Sequence, residues 1–334
     1  MKAWLMAAGI LALAARGAAA DPTVLRFTPL TQSGTAAYDQ FYKPWADKVS
    51  AVAPDALKID LREGTSIANI INVYERVKEN VTHIGFTLFN YVAGKFPLAE
   101  VAALPFVAAN SEQGSVALWR LYKTGMLDKE FDEVRPLMLV ALPQSLLHLA
   151  KPPPKGLDDL GGLRVIGATQ MTALSAKYLG TEAITLSSPE IYTAILRGTA
   201  DGAIVSWNPY FSMKLGEVTT FHVDAPLGTA AGMLFMSRKV YDSLSPAAKH
   251  AIDVNSGEAE SRAWGKWWDG DNENGREAAK HDPKQTVVTL DPAMRKEWSK
   301  KLDGAIAEWS KSRPGIDQAM VEYRRLVAEV AAGK

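Results

Sequence analysis

The stretch that most constrains the fold is Gly161 to Pro209, GGLRVIGATQMTALSAKYLGTEAITLSSPEIYTAILRGTADGAIVSWNP. Its pattern reads strand, helix, strand, helix, strand. Leu163 to Ile166 is a short apolar run behind two glycines, which suits a strand start. Thr172 to Leu179 suits a short helix ended by Gly180, and Ala183 to Leu186 a second strand. Ser187 and Glu190 have capping-box spacing, and Pro189 fits a first helical turn, where a missing N–H costs nothing. Ile191, Ala194 and Ile195 give that helix one apolar face. Gly198 can end it, and Asp201-Gly202 turns the chain into a third strand, Ala203 to Val205. Such alternation implies a parallel sheet with crossover helices. In sheets of this kind ligands sit at the carboxyl ends of the strands. Two residues near strand ends stand out: Arg164, inside an otherwise apolar run, and Trp207, at the exit of the third strand. Taken alone, Arg164 reads most simply as a structural ion pair or an outward-facing strand residue.

The same alternation extends over the chain. Val24 to Phe27 reads as a strand and Thr35 to Ser50 as a helix, whose stripe Tyr38, Phe41, Tyr42 and Trp45 belongs to a core. Leu57 to Leu61, Ile84 to Phe89 and Leu137 to Leu142 read as strands, with helices over Ile67 to Lys78 and Ser111 to Thr124. Lys151-Pro-Pro-Pro-Lys155 is a stiff lead-in to the loop before Arg164. Beyond Pro209 come a helix over Tyr210 to Glu217 and strands at Phe221 to Val223 and Gly232 to Ser237. A long helix follows from Ser245-Pro246 to about Lys280, carrying Trp264, Trp267 and Trp268. The last helices, Pro292 to Lys311 and Ile316 to Ala332, are amphipathic packing helices.

With 334 residues the chain is long enough for two domains and a sizeable core. Lys plus Arg and Asp plus Glu both number 37, so nothing suggests a basic face for phosphate backbones, and no nucleic-acid partner is expected. The chain has no cysteine, which excludes disulfides, thiolate chemistry and a lipid-anchored form. At the start, Lys2 precedes the apolar run Trp4 to Ala15 and the small residues Ala18 to Ala20. This is a secretory signal peptide over residues 1–20, with cleavage before Asp21. Its apolar core is too short to span a bilayer comfortably, and no other segment is apolar enough to do so. A periplasmic protein, not embedded in the membrane, is expected.

Enzyme constellations are missing. His83, His148, His222, His250 and His281 form no H-E-x-x-H or H-x-H pattern, and there is neither a G-x-S-x-G elbow nor a phosphate-binding loop. Asp158-Asp159 reads as a solvated turn beside prolines, and Asp201-Gly202 as turn chemistry. No catalytic residue, cofactor or metal ligand is assigned.

Leu160, Gly162, Arg164-Val165, Gly180, Glu190, Tyr192, Ala194-Ile195, Gly198 and Asp201-Gly202 together resemble the signature of the solute-binding subunits of TRAP (tripartite ATP-independent periplasmic) transporters, the dicarboxylate-binding-protein (DctP) family. Leu104-Pro105-Phe106 is similar to a further motif of that family, whereas Gly162 stands where the family has a lysine. The resemblance covers nearly the whole exported chain. It implies a two-domain periplasmic-binding-protein-like α/β fold with a ligand cleft between the domains and a long helix spanning both. Domain I is expected over 21–141 plus about 229–265, and domain II over 142–228 plus about 266–334. The resemblance also implies that Arg164 pairs with a ligand carboxylate, for which its planar fork is suited. The partners it implies are a small organic acid and the small and large membrane permease proteins of a TRAP system.

From strand ends, the cleft is expected to be lined by Leu30, Thr31, Asn69, Thr87, Phe89 and Tyr91 of the first domain. Gln144, Arg164, Thr169, Trp207 and Asn208 are expected from the second. Compared with sialic-acid-binding members, Gln144 stands near a second arginine, and Leu88, Phe89 and Tyr91 near charged positions. One cation among apolar walls suits a small aromatic, keto or hydroxy monocarboxylate, with a branched aliphatic keto acid close behind. Trp207 stacking on a ring would add ~1 kcal/mol. Some keto-acid-binding members hold a sodium ion, and no carboxylate set for one stands out here. The alternatives are a receptor of an ABC-type or sensory system, or a periplasmic enzyme.

Overall fold

The structure, a computed structural model, describes residues 21–64, 66–186 and 188–334. The expected signal peptide over 1–20 and the Ser187 half of the expected capping box lie outside the described residues. Strand β1 (Thr23–Thr28) leads through a helical turn at Tyr38–Tyr42 into α1 (Lys43–Val52) and β2 (Leu57–Leu61). Tyr38, Phe41, Tyr42 and Trp45 are buried there, one face of a helical period turned to the sheet. Next come α2 (Val73–Lys78), β3 (Ile84–Leu88), α3 (Ser111–Lys123) and β4 (Val134–Ala141). The helix expected from Ile67 starts only at Val73. The Asn69 side chain accepts the N–H groups of Ile71 and Asn72 at 3.0 and 3.2 Å, and such local bonds hold a chain in a turn.

The chain then crosses to β5 (Leu146–Leu149), β6 (Arg164–Gly167), α4 (Gln170–Tyr178), β7 (Glu182–Thr185), α5 (Ser188–Leu196), β8 (Gly202–Val205), α6 (Trp207–Ser212) and β9 (Phe221–Asp224). It returns through β10 (Ala231–Ser237), α7 (Arg238–Ser243) and α8 (Pro246–Asp253), and ends with α9 (Glu258–His281), β11 (Thr286–Thr289), α10 (Pro292–Ser310) and α11 (Ile316–Ala331). The single long helix expected from Ser245 is thus two, α8 and α9. They are broken at Gly257, whose φ of +104° is a conformation open to glycine.

Two sheets result. The first has the order β2-β1-β3-β10-β4, with β1 parallel to β2 and β3, and β10 antiparallel to β3 and β4. The second has the order β11-β9-β5-β8-β6-β7, in which the parallel trio β8-β6-β7 is the alternating stretch read from the sequence. Residues 142–145 and 225–230 pass side by side between the sheets. They are tied by Leu142 N–H to Ala230 O (2.9 Å), Ser145 N–H to Gly228 O (2.8 Å) and Leu227 N–H to Ser145 O (2.9 Å). Helix α9 makes a third crossing, packing on α3 and β4 near its start and on α6 and β11 further along. The C-terminal segment divides: α10 lies on α4, but α11 returns to α3, where the Tyr323 hydroxyl donates to Gly114 O at 3.2 Å. Amphipathic periodicity reveals a buried face and not which lobe will cover it, so residues 316–331, expected with the second domain, pack on the first.

Buried ionisable groups set opposing pH slopes. His148 and His222 are paired in the β5–β9 register with their Nδ1 atoms 2.8 Å apart. Burial pushes both rings below the ordinary histidine value, and for His148 the neighbouring ring adds to it. Their contribution to stability is therefore present above about pH 6.5 and is lost as pH falls. Glu130, 6% exposed, accepts the N–H groups of Leu98 (2.6 Å) and Ala99 (3.0 Å), and burial pushes its carboxyl up to about 7. Its contribution is present below its unfolded value and is lost as pH rises toward 7. Between pH 7.5 and 5 the two offset each other. Glu130→Gln should therefore steepen the fall in Tm on acidification, by an amount equivalent to ~2 kcal/mol. Equal slopes for both proteins in thermal melts at pH 7.5 and 5.0 would remove Glu130 from the balance.

Candidate ligand-binding cleft

Between the sheets, at the carboxyl ends of β3, β6 and β8, lies a cavity of 220 Å³. That is somewhat below the ~300–1,000 Å³ of drug-sized sites and suits a one-ring molecule. Phe86, Leu88 and Tyr91 wall it from the first lobe, Met213 and Pro209 from the second, and Trp268 from α9. Polar groups come from Asn90, Ser145, Thr169, Ser206, Asn208 and Thr229. Among the described residues that line it there is no Lys, Arg, His, Asp or Glu.

Three of the residues expected from strand ends line this cavity: Tyr91, Thr169 and Asn208. Thr169 caps α4 reciprocally with Thr172, each side chain accepting the other's backbone N–H, at 3.1 and 2.9 Å. The Asn208 amide donates to Asp271 of α9 at 2.7 Å, so the spanning helix holds it in place.

The other expected positions lie elsewhere. Thr87 is buried on the far face of β3, and Phe89, just past the strand's end, is buried 4.8 Å from the Phe96 ring. Because side chains alternate along a strand, Phe86 and Leu88 face the cavity instead, and the expectation was one residue out of phase. Gln144 is turned away to the hinge, its amide oxygen accepting Gly228 N–H (3.0 Å) and its amide nitrogen donating to Leu104 O (3.3 Å). Leu30 and Thr31 line a separate depression with Gln32, Thr35 and Gly64. Asn69 is spent on its own turn.

Trp207 is core: it is 0% exposed, with its ring edge-on to His148 at 4.9 Å and Tyr210 at 5.0 Å. Arg164 opens β6 at its amino end, three residues before the strand exit, or ~10 Å at the rise of a strand. Its guanidinium donates to both oxygens of Asp201 at 3.0 and 3.1 Å and to Gly198 O at 2.8 Å. Burial pushes the Asp201 carboxyl up, but the Arg164 bonds outweigh this and hold it below its ordinary value. Arg164 therefore staples the start of β6 to the turn before β8, the simpler reading of an arginine in an apolar run.

A neighbouring recess shares Asn90 and Thr169 with the cavity and contains Arg313. That guanidinium bridges the lobes, donating to Glu100 at 2.9 Å and to Gln170 at 2.7 Å, and lies 4.2 Å over the Trp309 ring. It too is committed within the protein. Around the surface turn, Asp159 pairs with Lys155 at 2.9 Å and accepts Gly161 N–H at 2.8 Å. Among the described residues no group of three or more His, Asp or Glu is gathered as for a metal ion, and no helix is long and apolar enough to cross a membrane. Among the lining residues that sequence reasoning passed over, Ser145, Ser206, Thr229 and Trp268 carried weak signals. Ser206 directly follows a strand, and Trp268 belongs to a tryptophan cluster whose facing direction depends on α9's neighbours.

Residues 29–312 match the model of the bacterial extracellular solute-binding proteins, family 7 (DctP). A TRAP solute binding protein from Rhodoferax ferrireducens T118, solved in complex with copurified benzoate, superposes with a TM-score of 0.83 at 28% identity, over 93% of this chain and 99% of that one. A marine-metagenome TRAP solute binding protein specific for aromatic acid ligands, solved with metahydroxyphenylacetate, gives a TM-score of 0.82 at 26% identity, over 92% of this chain and 98% of that one. The outer membrane transporter protein TsaT of Comamonas testosteroni is 28% identical over 222 residues, so the chain spans 65% of that relative's length and 65% of its own. On its sequence match and its two-lobed architecture, the chain belongs to the DctP family of bacterial extracellular solute-binding proteins.

Proposed function

We propose that the protein is the extracytoplasmic receptor of a TRAP transporter for a small aromatic monocarboxylate, one with hydroxy or keto substituents included. The observation that carries this reading is the uncharged cavity walled by Phe86, Tyr91, Met213 and Trp268. A flat ring buries all its carbon surface against such walls, and an aromatic pair adds ~0.5–1.5 kcal/mol to that burial. Relatives solved with benzoate and with metahydroxyphenylacetate support the same class.

In this reading the ligand enters between the lobes, which close about the paired segments 142–145 and 225–230. Closure removes the ring from water and completes the donor set. The cavity offers serine hydroxyls but, among the described residues lining it, no histidine or carboxylate to activate them, which favours a receptor that returns its ligand unchanged over an enzyme. A leader over 1–20 fits a periplasmic location, from which the receptor would deliver its cargo to the membrane subunits expected for the family.

Thermal-shift titration of refolded, ligand-free exported chain tests the class. Benzoate, 3-hydroxybenzoate and mandelate at 100 times Kd should each stabilise by ~2.7 kcal/mol, a shift of several degrees. Succinate and glucuronate should give none. Stabilisation by the latter pair alone would overturn the aromatic reading.

The two tryptophans should separate. Trp268→Ala should weaken benzoate binding by about tenfold with a modest change in Tm. Trp207→Ala should instead cost ~3–5 kcal/mol of stability, measured by denaturant unfolding. The reverse pattern would place Trp207 in the site.

A further inference from the structure

Resting on that ligand class, we infer that Ser145 and Ser206 form a paired-hydroxyl clip that holds the ligand's carboxylate in place of a guanidinium. Strands β5 and β8 are antiparallel in the register Leu146↔Val205 and Leu147↔Ile204. One step beyond the ladder, Ser145 and Ser206 stand opposite each other. Side chains directly opposite on neighbouring strands start ~4.5–5.5 Å apart at Cβ, so both hydroxyls can reach one small group between them. Both serines line the cavity, and they are only 8% and 7% exposed.

Neither hydroxyl has a hydrogen-bond partner among the described residues. The backbone of Ser145 is committed: its N–H goes to Gly228 O and its carbonyl accepts Leu227 N–H. Ser206 occupies the N-cap of α6, yet its side chain caps nothing. Serine at such a position ordinarily bonds back to the helix. Two adjacent hydroxyls on the cavity wall, neither bonded among the described residues, are donors that one acceptor with two oxygens can take together.

The other polar residues of the cavity are differently placed. The Thr229 hydroxyl donates to Pro143 O at 2.8 Å, Thr169 caps α4, and the Asn208 amide donates to Asp271. Asn90 is exposed and Tyr91 half-buried, so both can turn to water. Hydroxyl donors to an ionised oxygen are short and strong, which lets two of them hold a carboxylate that no fixed cation faces. The site then reads its ligand by donor geometry at one end and ring shape at the other.

Calorimetric titration of benzoate into the exported chain tests the clip. Ser145→Ala and Ser206→Ala should each weaken binding by about tenfold and the double variant by about a hundredfold. Unliganded Tm should stay level, because each change deletes a hydroxyl that bonds to nothing else among the described residues. Arg164→Met should keep its affinity within about threefold, since that side chain serves Asp201. If the wild type binds benzoate and the double serine variant keeps that affinity within about threefold, the clip is wrong and the ligand class stands. If Arg164→Met abolishes binding while the serine variants do not, the carboxylate belongs to the guanidinium. If the wild type binds no aromatic acid at all, the ligand class falls and the clip falls with it.

Discussion

The geometry of the cleft depends on two chain segments that run side by side between the sheets. Residues 142–145 and 225–230 continue the antiparallel pairing of the first sheet into the second, and their mutual hydrogen bonds leave little freedom in lobe spacing. Side chains reinforce the backbone. The Thr229 hydroxyl is held by Leu142 O (3.0 Å) and Pro143 O (2.8 Å), and Gln144 spans from Gly228 N–H to Leu104 O. Gly228 has a φ of +96°, and a Cβ there would sit 3.1 Å from Met171 and 3.3 Å from Ala103 O, so the crossing needs glycine for both conformation and space. Gln144 contributes to this join, whereas its neighbour Ser145 lines the cavity. Adjacent residues in an extended segment face opposite ways.

Helix α9 connects the lobes a second time. At one point on its length Asp269 accepts the N–H groups of Ser111 and Glu112, at 2.7 and 2.9 Å, which caps α3 in the first lobe. Two residues on, Asp271 holds the Asn208 amide, and the next residue, Asn272, accepts the Trp207 N–H at 3.1 Å, which anchors α6 in the second. Trp268 of the same turn walls the cavity. Two small residues allow the close approach: a Cβ at Gly265 would lie 2.5 Å from the Glu112 backbone, and one at Gly275 would lie 2.8 Å from Trp207. Helix α9 is thus bonded to both lobes beside the cavity.

Behind α6 sits the cluster that removes Trp207 from the cleft. His148 stacks on Tyr210 at 4.7 Å and meets Trp207 edge-on, while His222 is steadied by Gln285 at 2.9 Å. Neutral, buried rings here give α6 a rigid floor, so Ser206 and Asn208 at its start are held still. Preorganised donors lose little entropy on binding, which is how a small uncharged site can reach useful affinity.

The family resemblance implied the two-lobed fold with its cleft, and the residues themselves made element types legible: the βαβαβ stretch from Arg164 to Val205, the aromatic stripe leading into α1 and the N-cap of α8. Those signals are local, set by periodicity, capping and turn chemistry within a few residues. What only the tertiary structure decided was direction. It chose which face of β3 looks into the cleft, so Phe86 and Leu88 line it and Thr87 and Phe89 do not. It set which end of β6 borders the cavity, so that Arg164 serves Asp201. It set which tryptophan is wall and which is core, and it sent α11 back to α3. Each choice rests on partners tens to hundreds of residues away, whose packing and hydrogen bonds outweigh what any local pattern can specify.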